Sequence, residues 1–307
     1  MSQRIVILGV FVADTAYRAD RLPRMGETLL GHSFALGPGG KGSNQAVAAA
    51  RLGAEVALIT RLGQDAFAEM ALATWTAAGV TPVVRQMAES YTGAALIFIE
   101  DGSGDNAIII APGAAGHIGP EDLEAEAPII AGSRVFLTQL EQPLAAAVRG
   151  MEIARGAGVT TILNPAPGQD LPDSVLRLAD FVTPNETETE ILTGIEVTSL
   201  DAARAAADRL IERGAGGVVI TLGAQGALLH AGGRSEVVPA VSAGPVVETT
   251  GAGDAFNAGL ATGIARGLDL PAAVRLGCAV AGISVTRAGT SNSMPTAAEV
   301  EALLARG

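Results

Sequence analysis

Gly53-Ala54-Glu55-Val56-Ala57-Leu58-Ile59-Thr60 reads as a glycine that ends a helix, followed at once by an apolar run. Gly156-Ala157 before residues 159–163 and Gly214-Ala215 before Val218-Val219-Ile220-Thr221 repeat the pattern. Glycine accepts the left-handed backbone that closes a helix, and a short β-branched run after it reads as a strand. Three such joints predict a doubly wound α/β fold with a mainly parallel sheet between helices. Their irregular spacing excludes a solenoid.

Working outward, Ile5-Val6-Ile7-Leu8 followed by Gly9 has the unbroken apolarity of a strand buried on both faces. It is far too short to span a bilayer. Val135-Phe136-Leu137-Thr138 and Phe181-Val182-Thr183 read as further strands, and residues 65–78, 144–155 and 271–287 as helices. Residues 18–36 leave the main sheet, with Thr28-Leu29-Leu30 and Ser33-Phe34-Ala35 as strand fragments. Residues 93–100 and 106–111 flank Asp101-Gly102-Ser103-Gly104, a hairpin turn. Neither arm alternates polar with apolar, so both faces should be covered, either by a ligand on one and a second copy of the chain on the other, or by the rest of a single domain.

Hydrophobic residues make up 49% of the 307 and charged residues 17%, which suits a large folded core and excludes disorder. The net charge of −12 argues against nucleic acid or an anionic membrane as partner, because both need basic surface. Cys278 is the only cysteine, so no internal disulfide is possible and a reducing, cytoplasmic setting is expected. It reads as core filler. His32, His117 and His230 are too widely spaced for a metal motif.

Chemistry concentrates in two glycine-rich helix entries. In Thr249-Thr250-Gly251-Ala252-Gly253-Asp254-Ala255-Phe256-Asn257, a carboxylate sits in the first turn beside amides that lack intrahelical partners, which makes an anion site. The other is Gly37-Pro38-Gly39-Gly40-Lys41-Gly42-Ser43-Asn44-Gln45. Gly37, Gly39 and Gly42 satisfy the dinucleotide pattern, but that fingerprint follows a first strand and needs an acid at the end of the next, where Thr60-Arg61 stands. A P-loop is excluded because Gly42, not lysine, precedes Ser43. Lys41 and Asn44 instead suit hydroxyl groups, as in a sugar. Asp14, Glu141, Asn164, Asn185, Thr221 and Gly223 fall at or just past strand ends, which in open α/β sheets border one crevice.

These residues resemble the ribokinase group of the phosphofructokinase-B-type carbohydrate kinases. The likeness is carried by Gly39-Gly40-Lys41-Gly42-Ser43-Asn44-Gln45-Ala46 and residues 249–256, with Gln139-Leu140-Glu141, Asn164-Pro165-Ala166-Pro167 and Thr183-Pro184-Asn185-Glu186-Thr187-Glu188 between them. It runs nearly end to end. The resemblance implies a single domain, 1–307, with a small β-sheet lid from excursions at about 13–36 and 91–111 that often forms a homodimer contact. It implies ATP-dependent phosphorylation of a sugar's primary hydroxyl, with ribose the first candidate.

By the same resemblance Asp254 is the catalytic base, and the amides of Gly251, Ala252 and Gly253 receive the γ-phosphoryl group. Asp14, Gly40, Lys41, Gly42, Asn44 and Glu141 match sugar positions. Asn185, Thr221, Gly223, Ala224, Gly226 and Gly253 match nucleotide positions, and Glu188 matches an element associated with magnesium and phosphate. Glu248, Thr250, Ser284, Arg287, Gly289 and Ser293 match a monovalent-cation set expected to hold potassium.

Two positions depart from the pattern. Val12 stands where ribokinases usually present Asn, and Glu248 where Asp is common. The first removes a sugar hydrogen bond and keeps fructose, deoxyribose and 2-keto-3-deoxygluconate kinases as alternatives. An NAD-dependent oxidoreductase, favoured only by Gly37, Gly39 and Gly42, is the alternative from another class.

Overall fold

The computed structural model describes residues 3–306. Its strands are β1 (Ile5–Leu8), β2 (Val12–Ala19), β3 (Ser33–Gly39), β4 (Val56–Leu62), β5 (Thr81–Gln86), β6 (Thr92–Glu100), β7 (Asn106–Gly113), β8 (Val135–Thr138), β9 (Thr160–Leu163), β10 (Phe181–Val182), β11 (Gly217–Thr221), β12 (Ala227–Ala231) and β13 (Arg234–Val238). The larger sheet has the order β13-β12-β11-β10-β9-β8-β1-β4-β5. From β11 to β5 every pairing is parallel; β12 and β13 add an antiparallel edge.

Side-chain alternation along each strand separates two cores. Ile5, Ile7, Leu58, Leu137 and Val219 pack with helices Lys41–Arg51, Ala66–Ala78, Ala252–Ala265 and Leu270–Ser284. Val6, Leu8, Ile59, Phe136 and Ile220 pack with Leu144–Gly156, Glu186–Thr193 and Leu200–Glu212 on the opposite side. Both faces of the sheet are therefore wound with helices, as the three glycine joints predict. Asp65 caps the second helix by accepting the Ala68 N–H at 2.8 Å, a role sequence alone assigns to the helix itself.

The smaller sheet has the order β3-β2-β6-β7. Ser33-Phe34-Ala35 lies in β3, but Thr28-Leu29-Leu30 is not a strand, and β2 continues past Asp14 to Ala19. The register puts Thr15, Leu36, Leu96 and Ile109 on one face, with Tyr17 and Phe34 two residues along. Asp14, Ala95 and Ile110 share the other. In the single chain the first face is open: Phe34 is 57% and Ile109 68% exposed. Burial of the hairpin within a single domain is thus excluded, since Ile108 and Ile110 are exposed as well.

Candidate active site

Helix Ala252–Ala265 begins after Gly251, whose φ of 79° only glycine adopts without strain. This sharp entry buries the Asp254 carboxylate, 6% exposed, at the helix N-terminus, where the dipole favours negative charge. Both its oxygens are held by amides. Asn44 Nδ2 donates to Oδ2 at 2.9 Å, and Gln45 Nε2 donates to Oδ1 at 3.0 Å. The two glycine-rich entries, 210 residues apart, therefore meet at one carboxylate.

Each amide is in turn held from behind. Ser291 Oγ donates to Asn44 Oδ1 at 2.6 Å. Gln139 Nε2 donates to Gln45 Oε1, and Gln45 Nε2 also reaches Asn164 Oδ1 at 3.1 Å. Gln139 Oε1 is buried without a partner, which costs about 1–3 kcal/mol. Gln45, Gln139 and Ser291 are parts of the site that sequence reading missed. Gln45 and Gln139 stood in the quoted motifs beside Asn44 and Glu141 without a role of their own, and nothing marked a role for Ser291.

Lys41 is the cation at the centre. Burial pulls its ammonium down, but Asp254, Glu141, Glu188 and Asp14 together outweigh this and hold its pKa above the ordinary lysine value. Burial pushes the Asp14 carboxyl up to about 6, with the Asp254 charge adding to the rise and Lys41 opposing it. Burial pushes Glu141 up to about 7, against Lys41 and its main-chain N–H. Asp254 is raised by burial and drawn back by Lys41, Asn44 and Gln45. Asp14 lies against the turn before Lys41, because a Cβ on Gly39 would come within 2.2 Å of its Oδ2. The sugar-matching side chains thus stand around Asp254.

Beyond Asp254 is a polar cleft of about 150 Å³ lined by Lys41, Asn164, Asn185, Glu188, Thr221 and Gly253, among others. Asn185 and Glu188 cap helix Glu186–Thr193 reciprocally: Asn185 Oδ1 accepts the Glu188 N–H at 2.8 Å, and Glu188 Oε2 accepts the Asn185 N–H at 2.9 Å. Burial raises the Glu188 pKa. Thr183 Oγ1 donates to Asn257 Oδ1 at 2.6 Å, and Asn257 Nδ2 donates to Gly253 O at 2.9 Å, which braces the helix start. A larger cavity of about 270 Å³ at Leu52, Leu276 and Leu304 shares no lining residue with this cleft.

Four expected positions differ in detail. The Ala252 N–H turns back to Thr249 O at 3.1 Å, so of the three expected amide donors only Gly251 and Gly253 line the cleft. The entry turn uses the third. Gly223 and Ala224 sit exposed on the turn after Thr221. Gly226 is buried, its carbonyl accepting the Leu222 N–H at 2.8 Å, so it closes that turn.

The cation-matching residues converge from two segments. Glu248 Oε2 accepts the Gly289 N–H at 2.8 Å, and the Val247 and Glu248 N–H groups both reach Val285 O. The Arg287 side chain is paired with Glu299, leaving its carbonyl as the group it can offer an ion. The Ser284 and Ser293 hydroxyls donate to Ala281 O and Thr290 O.

A family model described as pfkB family carbohydrate kinase matches residues 2–297. A ribokinase of Haemophilus influenzae is 39% identical over 300 residues, 97% of each chain. A deoxyribokinase of Salmonella typhi is 35% identical over 294 residues, 95% of each. The solved structure of Arabidopsis thaliana ribokinase complexed with ribose and ATP matches with a TM-score of 0.93 at 30% identity, covering 99% of both chains. With a buried carboxylate at a glycine-rich helix entry and a family match over nearly its whole length, the chain belongs to the pfkB family of carbohydrate kinases.

Proposed function

We propose that this chain transfers the γ-phosphoryl group of ATP to the primary hydroxyl of D-ribose, giving D-ribose 5-phosphate. The observation that carries the reading is Asp254, whose carboxylate joins the sugar-side residues Asn44 and Lys41 to the polar cleft at Asn185 and Thr221. Asp14, Lys41, Asn44 and Glu141 bind and orient the sugar. Asp254 accepts the proton of its hydroxymethyl group. The Gly251 and Gly253 amides stabilise charge on the migrating group. Gly40 and Gly42, matched to the sugar site by resemblance, instead need glycine for packing, since a Cβ on either would come within 2.5 Å of Val10 O or Gly9 Cα. Phosphoryl transfer has a loose transition state, so positioning and charge stabilisation supply most of the catalysis.

Asn185, Thr221, Gly223, Ala224 and Gly253 would hold the nucleotide. Glu188, which lines the cleft together with Asp254, suits magnesium bound largely through water and phosphate. Magnesium supplies charge neutralisation on the phosphates. The carboxylate of Glu248 with oxygens of Thr250, Ser284, Arg287, Gly289 and Ser293 suits a monovalent cation by donor type, and we assign potassium to it. The smaller sheet is the lid, its Asp14 face toward the sugar and its Phe34–Ile109 face toward a second copy in a homodimer. No helix among the described residues is long and apolar enough to cross a membrane, and the lone, buried Cys278 suits the reducing cytoplasm.

Val12, buried and apolar, favours a second reading, 2-deoxyribose as the preferred sugar, because a missing hydroxyl then leaves nothing unpaired. ADP release against ribose, 2-deoxyribose, fructose and 2-keto-3-deoxygluconate tests both. The highest kcat/KM with ribose is expected. Preference for 2-deoxyribose establishes the second reading, and inactivity on the whole panel overturns both.

A further inference from the structure

Gln45 is wholly buried, as is Gln139, so neither is placed to touch a sugar or nucleotide. Yet Gln45 Nε2 is shared between Asp254 Oδ1 at 3.0 Å and Asn164 Oδ1 at 3.1 Å. An ionised carboxylate only accepts hydrogen bonds, so the Gln45 nitrogen must face Asp254 and its oxygen must face away. That oxygen is met by Gln139 Nε2. The cost appears one step further out, where Gln139 Oε1 has no hydrogen-bond partner.

Flipping Gln139 would turn its oxygen toward the oxygen of Gln45 and place two acceptors in opposition. The orphaned Oε1 is thus the far end of a chain whose direction is set by the charge on Asp254. It lies against two glycines: a Cβ on Gly9 would come within 2.6 Å of it and one on Gly42 within 3.0 Å. Only Cα hydrogens fit there, and these are weak donors.

We infer that Gln45 is a positioning residue for Asp254, and that Gln139 acts on Asp254 through Gln45 alone. The inference rests on the reading of Asp254 as the base. Asn44 covers Oδ2 and lies on the sugar side, so it is free to exchange its bond for one to substrate. Gln45 stays on Oδ1 throughout and keeps the Oδ2 lone pairs aimed at the hydroxymethyl group. The same bond favours the ionised form, in surroundings that include Lys41, Asp14, Glu141 and Glu188.

The test compares Gln45→Met, Gln139→Met, the double variant and Asp254→Asn in the full chain, with kcat and sugar KM measured from pH 5 to 9. A lost hydrogen bond to a charged group corresponds to roughly a 10- to 100-fold fall in kcat for Gln45→Met. Its sugar KM stays within about threefold of the parent value, and its acid limb moves to higher pH. Gln139→Met shifts both in the same direction by less, and the double variant matches Gln45→Met within about twofold, since a residue acting only through another adds nothing once that one is gone. An inactive Asp254→Asn together with a near-normal Gln45→Met, a loss confined to KM, or multiplying effects in the double variant overturns the inference alone. An active Asp254→Asn overturns the reading beneath it. If Gln45→Met does not fold, Gln139→Met decides: an unchanged kcat overturns the inference, and a fall of about threefold or more at constant KM supports it.

Discussion

Glu141 Oε2 accepts the main-chain N–H of Lys41 at 2.8 Å, tying the segment after β8 to the first residue of helix Lys41–Arg51. The bond holds a carboxylate in a place that burial makes costly. Its pKa stands at about 7 against an ordinary 4.5. Between those values the folded chain keeps a proton that the unfolded chain has released, so stability falls as pH rises through the window and is flat above it. Glu141→Gln removes that fall while still offering an oxygen to Lys41. Urea unfolding should show the variant more stable by about 1–3 kcal/mol at pH 8 and equal to the parent near pH 4. A difference independent of pH would contradict this.

Lys41→Met takes the one shared cation from Asp254, Glu141, Glu188 and Asp14. Those carboxylates then become harder to ionise. Steady-state kinetics should show sugar KM raised about tenfold or more, ATP KM changed by less, and the acid limb shifted to higher pH. Equal effects on both KM values would contradict a place on the sugar side.

Potassium should raise activity, because Glu248 and the 285–293 segment gather oxygens beside the start of the Asp254 helix. ADP release is measured in buffers with potassium, with sodium and with neither. Equal rates in all three would remove the cation from the account.

Phe34→Glu should leave a one-chain mass by light scattering where the parent gives two. Phe34 stands with Leu36, Leu96 and Ile109 on an open apolar face, and a charge there opposes burial of about 25 cal/mol per Å². An unchanged mass would place the contact elsewhere.

Much of this architecture was legible because strands buried on both faces leave unbroken apolar runs, as at Ile5-Val6-Ile7-Leu8, and because the joints end in glycine. β5 was not. Its sequence Thr81-Pro82-Val83-Val84-Arg85-Gln86 carries a proline that only an edge strand tolerates, and the short apolar run is ambiguous alone. β2 was not read as a strand of its own, since Thr15-Ala16-Tyr17-Arg18 belongs to a sheet open on one side and lacks a core strand's pattern. Within the site, Asp254, Lys41 and Asn44 were marked by their glycine-rich settings. Gln45 shares that setting, but its contact with Asp254 spans 209 residues and nothing local encodes its role. The turn that occupies the Ala252 N–H is equally a matter of backbone geometry.

We assign to Asp254 the proton of the sugar's primary hydroxyl. Asp254→Asn keeps the shape and the bond to Asn44 Nδ2 through its amide oxygen, and removes the base. With ribose and ATP, kcat should fall by about 10²–10⁴-fold while the dissociation constant for ATP stays within about threefold. A variant that keeps most of the parent's kcat would contradict the account.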